Sequence, residues 1–174
     1  MIKEAMSSGA DCVKFQKSCL VEKFTKKALE RPYQSKHSFG CTYGEHKSKL
    51  EFTNEQFREL KTFCDSHKIP MTASAMDPES VDFLALQLDV PFIKVGSGDV
   101  NNHFVLEKLA KLKSTNAVIS TGMANLKMIN DVYNLFKVHR KDFINFVLLH
   151  CTSSYPTIPN GTKLKFSSHI ISHY

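Results

Sequence analysis

The chain has 174 residues, 42% of them hydrophobic and 23% charged, with 23 Lys+Arg against 17 Asp+Glu for a net charge of +6. That length allows one domain with a sizeable core, and the balance excludes disordered and fibrous architectures. The positive charge suits small acidic substrates. It would also suit nucleic acid or an anionic membrane, but no nucleic-acid partner is expected, because no Arg/Lys block interleaves with aromatics and clusters such as Lys23, Lys26 and Lys27 read as a solvated face.

No apolar run reaches about 18 residues, and the N-terminus lacks a charged-then-apolar signal pattern, so no membrane segment and a cytoplasmic location are expected. Cys12, Cys19, Cys41, Cys64 and Cys151 show no CxxC or regular spacing, which speaks against a disulfide framework or a zinc site and for a reducing compartment. The histidines form no HxH or HExxH pair, so no metal site is expected from local motifs.

In chain order, Cys12-Val13-Lys14-Phe15 reads as a first strand. Residues 20–51, rich in Lys, Ser and Gly, read as a long loop of the kind that is functional or disordered. Thr53 with Gln56 makes a capping box ahead of Phe57, Leu60 and Cys64 at helical spacing. A second strand is predicted at residues 69–73. Asp77 followed by Pro78 starts a helix that buries Val81, Leu84, Ala85 and Leu88.

The third strand is Phe92-Ile93-Lys94-Val95, after which Asn102 caps a helix. Ala117-Val118-Ile119 is the fourth, and Asn125 then caps a helix burying Leu126, Ile129, Tyr133 and Phe136; Phe146-Val147-Leu148-Leu149 is the fifth. Strands alternating with helices imply a parallel sheet, doubly wound or curled into a (β/α)8 barrel.

In such folds chemistry collects at the carboxyl ends of the strands. There the sequence delivers Lys14 and Gln16, Ser74, then Lys94, Ser97 and Asp99, then Ser120 and Thr121, and finally Thr152, Ser153 and Tyr155. Lysine brings a point charge and three donors, and Gly96, Gly98 and Gly122 let backbone N–H groups approach an anion, so the set suits a phosphate or carboxylate. A lysine inside an apolar strand, as at Lys94, costs folding free energy unless its charge meets a partner. Gly96-Ser97-Gly98 is not a dinucleotide motif, since position 101 is Asn and GxGxxG is not completed.

The strings GADCVKFQKS, ALERPYQSKHSFGCTYGEHKSKLEF, TASAMD, PFIKVGSGDVNN, VISTGM and LLHCTSSYP, in this order, resemble the N-terminal barrel of sialic acid synthases, and the ERPY…TYGEH stretch resembles the animal branch. The resemblance implies an incomplete (β/α)8 TIM barrel of about five consecutive parallel strands over residues 1–156, with a divergent tail at 157–174. It implies condensation of phosphoenolpyruvate with N-acetylmannosamine or its 6-phosphate, giving a nine-carbon sialic acid and phosphate. Lys14, Ser74, Lys94, Ser97, Ser120 and Ser153 match positions that hold phosphoenolpyruvate. Gln16, Asp99 and Tyr155 match positions facing the sugar, with Asp99 also implied in proton handling. Ser74 and Ser153 stand where some family members carry Thr and Asn.

The family uses Mn²⁺ (or Mg²⁺) held by two histidines, and forms homodimers in which an antifreeze-like domain reaches into the partner's site. Neither those histidines nor the family's leading strand, which bears a Glu, is expected here, and His169 and His173 are read as fortuitous. The sequence reading therefore expects a truncated synthase, inactive alone and with its dimer lost; the alternatives are a non-catalytic remnant or partner of a full-length subunit, and an enzyme making a deaminated sialic acid. The strands at Val13 and Val147 are expected to be the sheet's two edges.

Overall fold

The structure is a computed structural model that describes residues 1–140 and 145–158. Helix α1 (Ile2–Ser7) leads into strand β1 (Val13–Lys17), followed by helices α2 (Leu20–Lys23), α3 (Lys26–Glu30), α4 (Tyr43–Leu50) and α5 (Asn54–Ser66). Strand β2 (Met71–Ala75), helix α6 (Pro78–Asp82) with a π-helical turn at Phe83–Gln87, and strand β3 (Phe92–Val95) come next. A 3-10 turn at Ser97–Asp99 precedes helix α7 (His103–Lys111), strand β4 (Asn116–Ser120), helix α8 (Leu126–His139) and strand β5 (Phe146–Leu149). His169 and His173, with most of the 157–174 tail, lie outside the described residues.

One five-stranded sheet has the order β1-β2-β3-β4-β5, and the pairs β1/β2 and β4/β5 are parallel. Spatial order follows chain order, as in successive β/α units of a barrel. Among the described residues β1 and β5 end the order and the sheet does not close. The chain divides into two compact units, Met1–Ile93 and Lys94–Tyr174.

In the first unit the core gathers on Phe57, Met71, Val81, Phe83 and Leu84, all fully buried. Phe57 takes Phe15, Phe52 and Phe83 edge-on, the favourable arrangement for ring quadrupoles. Every residue of β2 is buried, as in a strand covered on both faces. Thr53 and Gln56 form the expected capping box on α5. The stripe expected after Asp77 shifts: Val81, Leu84 and Leu88 are buried, but Phe83 joins them and Ala85 is only half-buried. The π turn explains this, because Leu88 N–H donates to Phe83 C=O at 3.0 Å and the widened turn changes the helical phase.

Residues 20–51 are not one long loop. Thr25 caps α3 by accepting from Ala28 N–H, and Thr42 and Glu45 make a reciprocal capping box on α4. An antiparallel bridge joins Pro32 and Thr42, and His46 stacks against both Tyr33 and Phe39. At the base, Ser18 Oγ donates to Glu51 Oε1 at 2.7 Å. Local caps and ring stacking order a polar stretch that has no hydrophobic periodicity to announce it.

In the second unit α7 buries Val105, Leu106, Leu109 and Ala110. On α8 the buried stripe is Ile129, Val132 and Phe136, whereas Tyr133 is half-buried and Leu126 stays 41% exposed. Positions i, i+3 and i+7 share a helix face, and Val132 rather than Tyr133 lies on it. Arg140, 3% exposed, donates to the carbonyls of Leu109, Ala110, Leu112 and Asn145, and its guanidinium lies 4.9 Å from the Phe136 ring. Those acceptors include carbonyls of the last turn of α7; Leu109 C=O also accepts from Leu112 N–H at 3.2 Å. Burial pulls the Arg140 pKa below its usual value.

Asp77, 1% exposed, holds three donors: Ser80 N–H at 2.7 Å, Ser80 Oγ at 2.9 Å and Cys19 N–H at 2.6 Å. It thus caps α6 and ties that helix to the end of β1. Asp77→Ala is expected to lower stability by about 2–4 kcal/mol, since both a cap and a charge-assisted bond are lost, against about 1 kcal/mol for Ser80→Ala. Urea unfolding measures both, and equal midpoints for Asp77→Ala and the parent chain would contradict this role.

Candidate functional site

The strand pleat sorts the predicted residues by face. On β1, Val13, Phe15 and Lys17 point one way and Lys14 and Gln16 the other. Lys14 and Gln16 are exposed, and their register partners on β2 are Thr72 and Ser74. Lys14, Gln16 and Ser74 therefore share one face of the first unit, with Ser74 buried at 6% exposure.

Lys17, which the strand-end inventory passed over, is the buried lysine of this strand at 8% exposure. Its Nζ lies 5.5 Å from the centroids of both Phe57 and Phe83. Two ring faces stabilise that ammonium. Strand alternation was the available signal, since it sets Lys17 beside Val13 and Phe15.

In the second unit Lys94 is half-buried on the face of β3 opposite Ile93 and Val95, which are fully buried. Its Nζ donates to Ser120 Oγ at 2.5 Å and to the Val95 carbonyl at 2.9 Å. Ser120, at the end of β4, is itself buried. Two residues on, Gly122 N–H donates to Ser97 Oγ at 3.1 Å. A Cβ on Gly122 would run into Ser153 Oγ and come within 2.7 Å of Ser97 Oγ. Gly122, Ser97 and Ser153 thus converge at van der Waals range.

The other two glycines behave differently. A Cβ on Gly96 or Gly98 would meet nothing within 4 Å, so of the three glycines only Gly122 is required by close packing. Thr121 is occupied structurally, its N–H and hydroxyl both donating to Leu149 C=O at 3.0 and 2.9 Å. Asp99 closes the 3-10 turn beside Ser97 and is half-buried. Ser153 is exposed, and Tyr155 is fully so.

The second unit therefore presents an ammonium, three hydroxyls and a close-approach glycine around Lys94, Ser97, Ser120, Gly122 and Ser153. A cation and short hydroxyl donors suit a phosphate or carboxylate oxygen. Among the described residues no three of His, Cys, Asp and Glu come together as a metal ion would need.

Gly122→Ala tests the packing at this point. Its added methyl meets both serine hydroxyls and the Ser97 Cβ, so stability should fall by about 1–3 kcal/mol as both hydroxyls are pushed aside. Anion affinity measured by calorimetry should drop about tenfold, the worth of one charge-assisted hydrogen bond. Unchanged affinity would show that the serines do not face the ligand.

The chain is 51% identical over all its 174 residues to the N-acetylneuraminate-9-phosphate synthase of Homo sapiens, and covers 46% of that protein. Against the N-acetylneuraminate-9-phosphate synthase of Drosophila melanogaster it is 46% identical over 168 residues, 97% of this chain and 44% of the relative. The chain thus spans about half the length of the curated relatives it matches. The N-acetylneuraminic acid (sialic acid) synthetase of Leptospira borgpetersenii serovar Hardjo-bovis, solved in complex with citrate, superposes with a TM-score of 0.77 at 27% identity, over 100% of this chain and 55% of that one. A NeuB family model matches residues 1–174, and the chain belongs to the NeuB family.

Proposed function

We propose that this chain carries the phosphoenolpyruvate-binding part of a sialic acid synthase. The reaction joins the methylene carbon of phosphoenolpyruvate to the aldehyde carbon of N-acetylmannosamine or its 6-phosphate. One water is consumed and inorganic phosphate leaves, giving N-acetylneuraminate or its 9-phosphate. The observation that carries the reading is the Lys94 and Ser120 pair beside the Ser97, Gly122 and Ser153 convergence. Relatives named N-acetylneuraminate-9-phosphate synthase, alike across the full chain, supply the reaction.

In this reading Lys94, Ser97, Ser120 and Ser153, with Lys14 and Ser74, hold the phosphate and carboxylate of phosphoenolpyruvate. Lysine neutralises the doubly charged phosphate, and the hydroxyls orient it by short hydrogen bonds. Gln16 and Tyr155 face the sugar, and Asp99 faces it as an acid or base. The divalent cation, Mn²⁺ or Mg²⁺, and the homodimer belong to the same proposal; the described residues do not form a metal-binding group, so no step is assigned to the ion. No helix among the described residues is long and apolar enough to cross a membrane. All five cysteines are free thiols, which suits a cytoplasmic setting.

The test is calorimetric titration with phosphoenolpyruvate and, for comparison, pyruvate. Phosphoenolpyruvate should bind more tightly than pyruvate, and Lys94→Ala should weaken it by about ten- to a hundredfold, the worth of a charged hydrogen bond. Equal binding by the parent chain and Lys94→Ala would sink the reading.

A further inference from the structure

We infer that Met123 is a further substrate-contacting residue, a flexible apolar cover over the anion held by the Lys94 and Ser97 cluster. This rests on the reading of that cluster as a phosphoenolpyruvate site, and adds a side chain that neither charge nor hydroxyl chemistry would select.

Met123 has a φ of 65°, in the left-handed region where an L-residue with a Cβ is strained. Glycine adopts that backbone without strain and asparagine at lower cost, so the turn alone does not call for methionine. Packing does not call for it either. The side chain is 73% exposed and adds nothing to the core. Lys68 and Asp89 share this left-handed backbone at exposed positions, but of the three only Met123 adjoins the anion cluster, and strained residues gather at functional sites.

The flanking bonds hold the strained conformation in place. Before it, Thr121 is tied to Leu149 C=O through both N–H and hydroxyl. After it, Ala124 N–H returns to Thr121 C=O at 3.2 Å, and Asn125 caps α8 by accepting from Met128 N–H at 2.9 Å. Gly122, the immediate neighbour, donates its N–H to Ser97 Oγ and lies against Ser153. Met123 is thus fixed one residue from the centre of the cluster.

That cluster is polar throughout, built from one ammonium and serine hydroxyls. It satisfies the phosphate and carboxylate of a three-carbon enol acid but offers nothing to its methylene end. A thioether on an unbranched, rotatable chain can fold over such a group. Covering one face of it withdraws that face from water and leaves the other face open to the sugar aldehyde. The ligand class is therefore a small phosphorylated acid with one apolar end, as distinct from a simple inorganic anion.

Two substitutions and two probes test this on the 174-residue chain. Met123→Gly relieves the backbone, so its melting temperature should equal or exceed the parent's. Its dissociation constant for phosphoenolpyruvate should nonetheless rise about fourfold or more, the equivalent of one methylene group left in water. Inorganic phosphate, which has no methylene, should bind the parent and Met123→Gly alike. Met123→Leu, which keeps an apolar side chain, should bind phosphoenolpyruvate within about twofold of the parent, since such swaps conserve volume.

Phosphoenolpyruvate binding unchanged in Met123→Gly would overturn this inference alone, leaving the proposed function standing. A parallel loss of phosphate binding would also overturn it, by showing that the substitution disturbs the cluster itself. A parent chain with no affinity for phosphoenolpyruvate would overturn both.

Discussion

The two-residue period of the strand is the constraint on which the rest of this structure depends. Each strand must send alternate side chains to opposite faces. On β3 the buried pair is Ile93 and Val95 and the residue between them is Lys94, and on β4 Ala117 and Ile119 are buried with Ser120 next in line. One set packs under the helices while the other projects polar groups from the opposite face. A slip of one residue in register would exchange the two sets and destroy core and site together.

Hydrogen bonds from single side chains fix how the helices join that sheet. Asp77 gathers a helix N-terminus and the backbone at the end of β1 on one carboxylate. Arg140 gathers the last carbonyls of α7 on one guanidinium. Both are almost wholly buried, and each bonds backbone groups at a helix end. The Asp77 junction lies at the carboxyl ends of β1 and β2, and the Arg140 junction lies ahead of β4 and β5, at their amino ends.

The site itself is a matter of convergence. No residue of the Lys94, Ser97, Ser120 and Ser153 set is chemically unusual. Its capacity for an anion comes from Lys94 reaching across to Ser120 and from Gly122 leaving room for two hydroxyls. Membership of the NeuB family explains why that capacity is directed at a phosphorylated three-carbon acid in the reading proposed here.

Much of the fold is legible in local sequence, because its signals act over a few residues. The Thr53 and Gln56 box, the Asp77-Pro78 start and the Asn102 and Asn125 caps each form within one turn of a helix. The β/α alternation, and with it the strand ends where Lys94, Ser97 and Ser120 collect, follows from periodicity alone.

Other features depend on atoms far apart in the chain. The helices within residues 20–51 rest partly on ring stacking between Tyr33, Phe39 and His46, which no periodicity encodes. The burial of Lys17 between Phe57 and Phe83 depends on two later helical segments closing over β1. The requirement for glycine at 122, but not at 96 or 98, exists only once Ser97 and Ser153 are brought to it. Sequence by itself determined the five strands, the helices outside residues 20–51, their order and the family, since these rest on short-range propensity and pattern. Only the tertiary structure decided which lysine is buried, which glycine is indispensable and which hydroxyls meet, because each depends on contacts between residues distant along the chain.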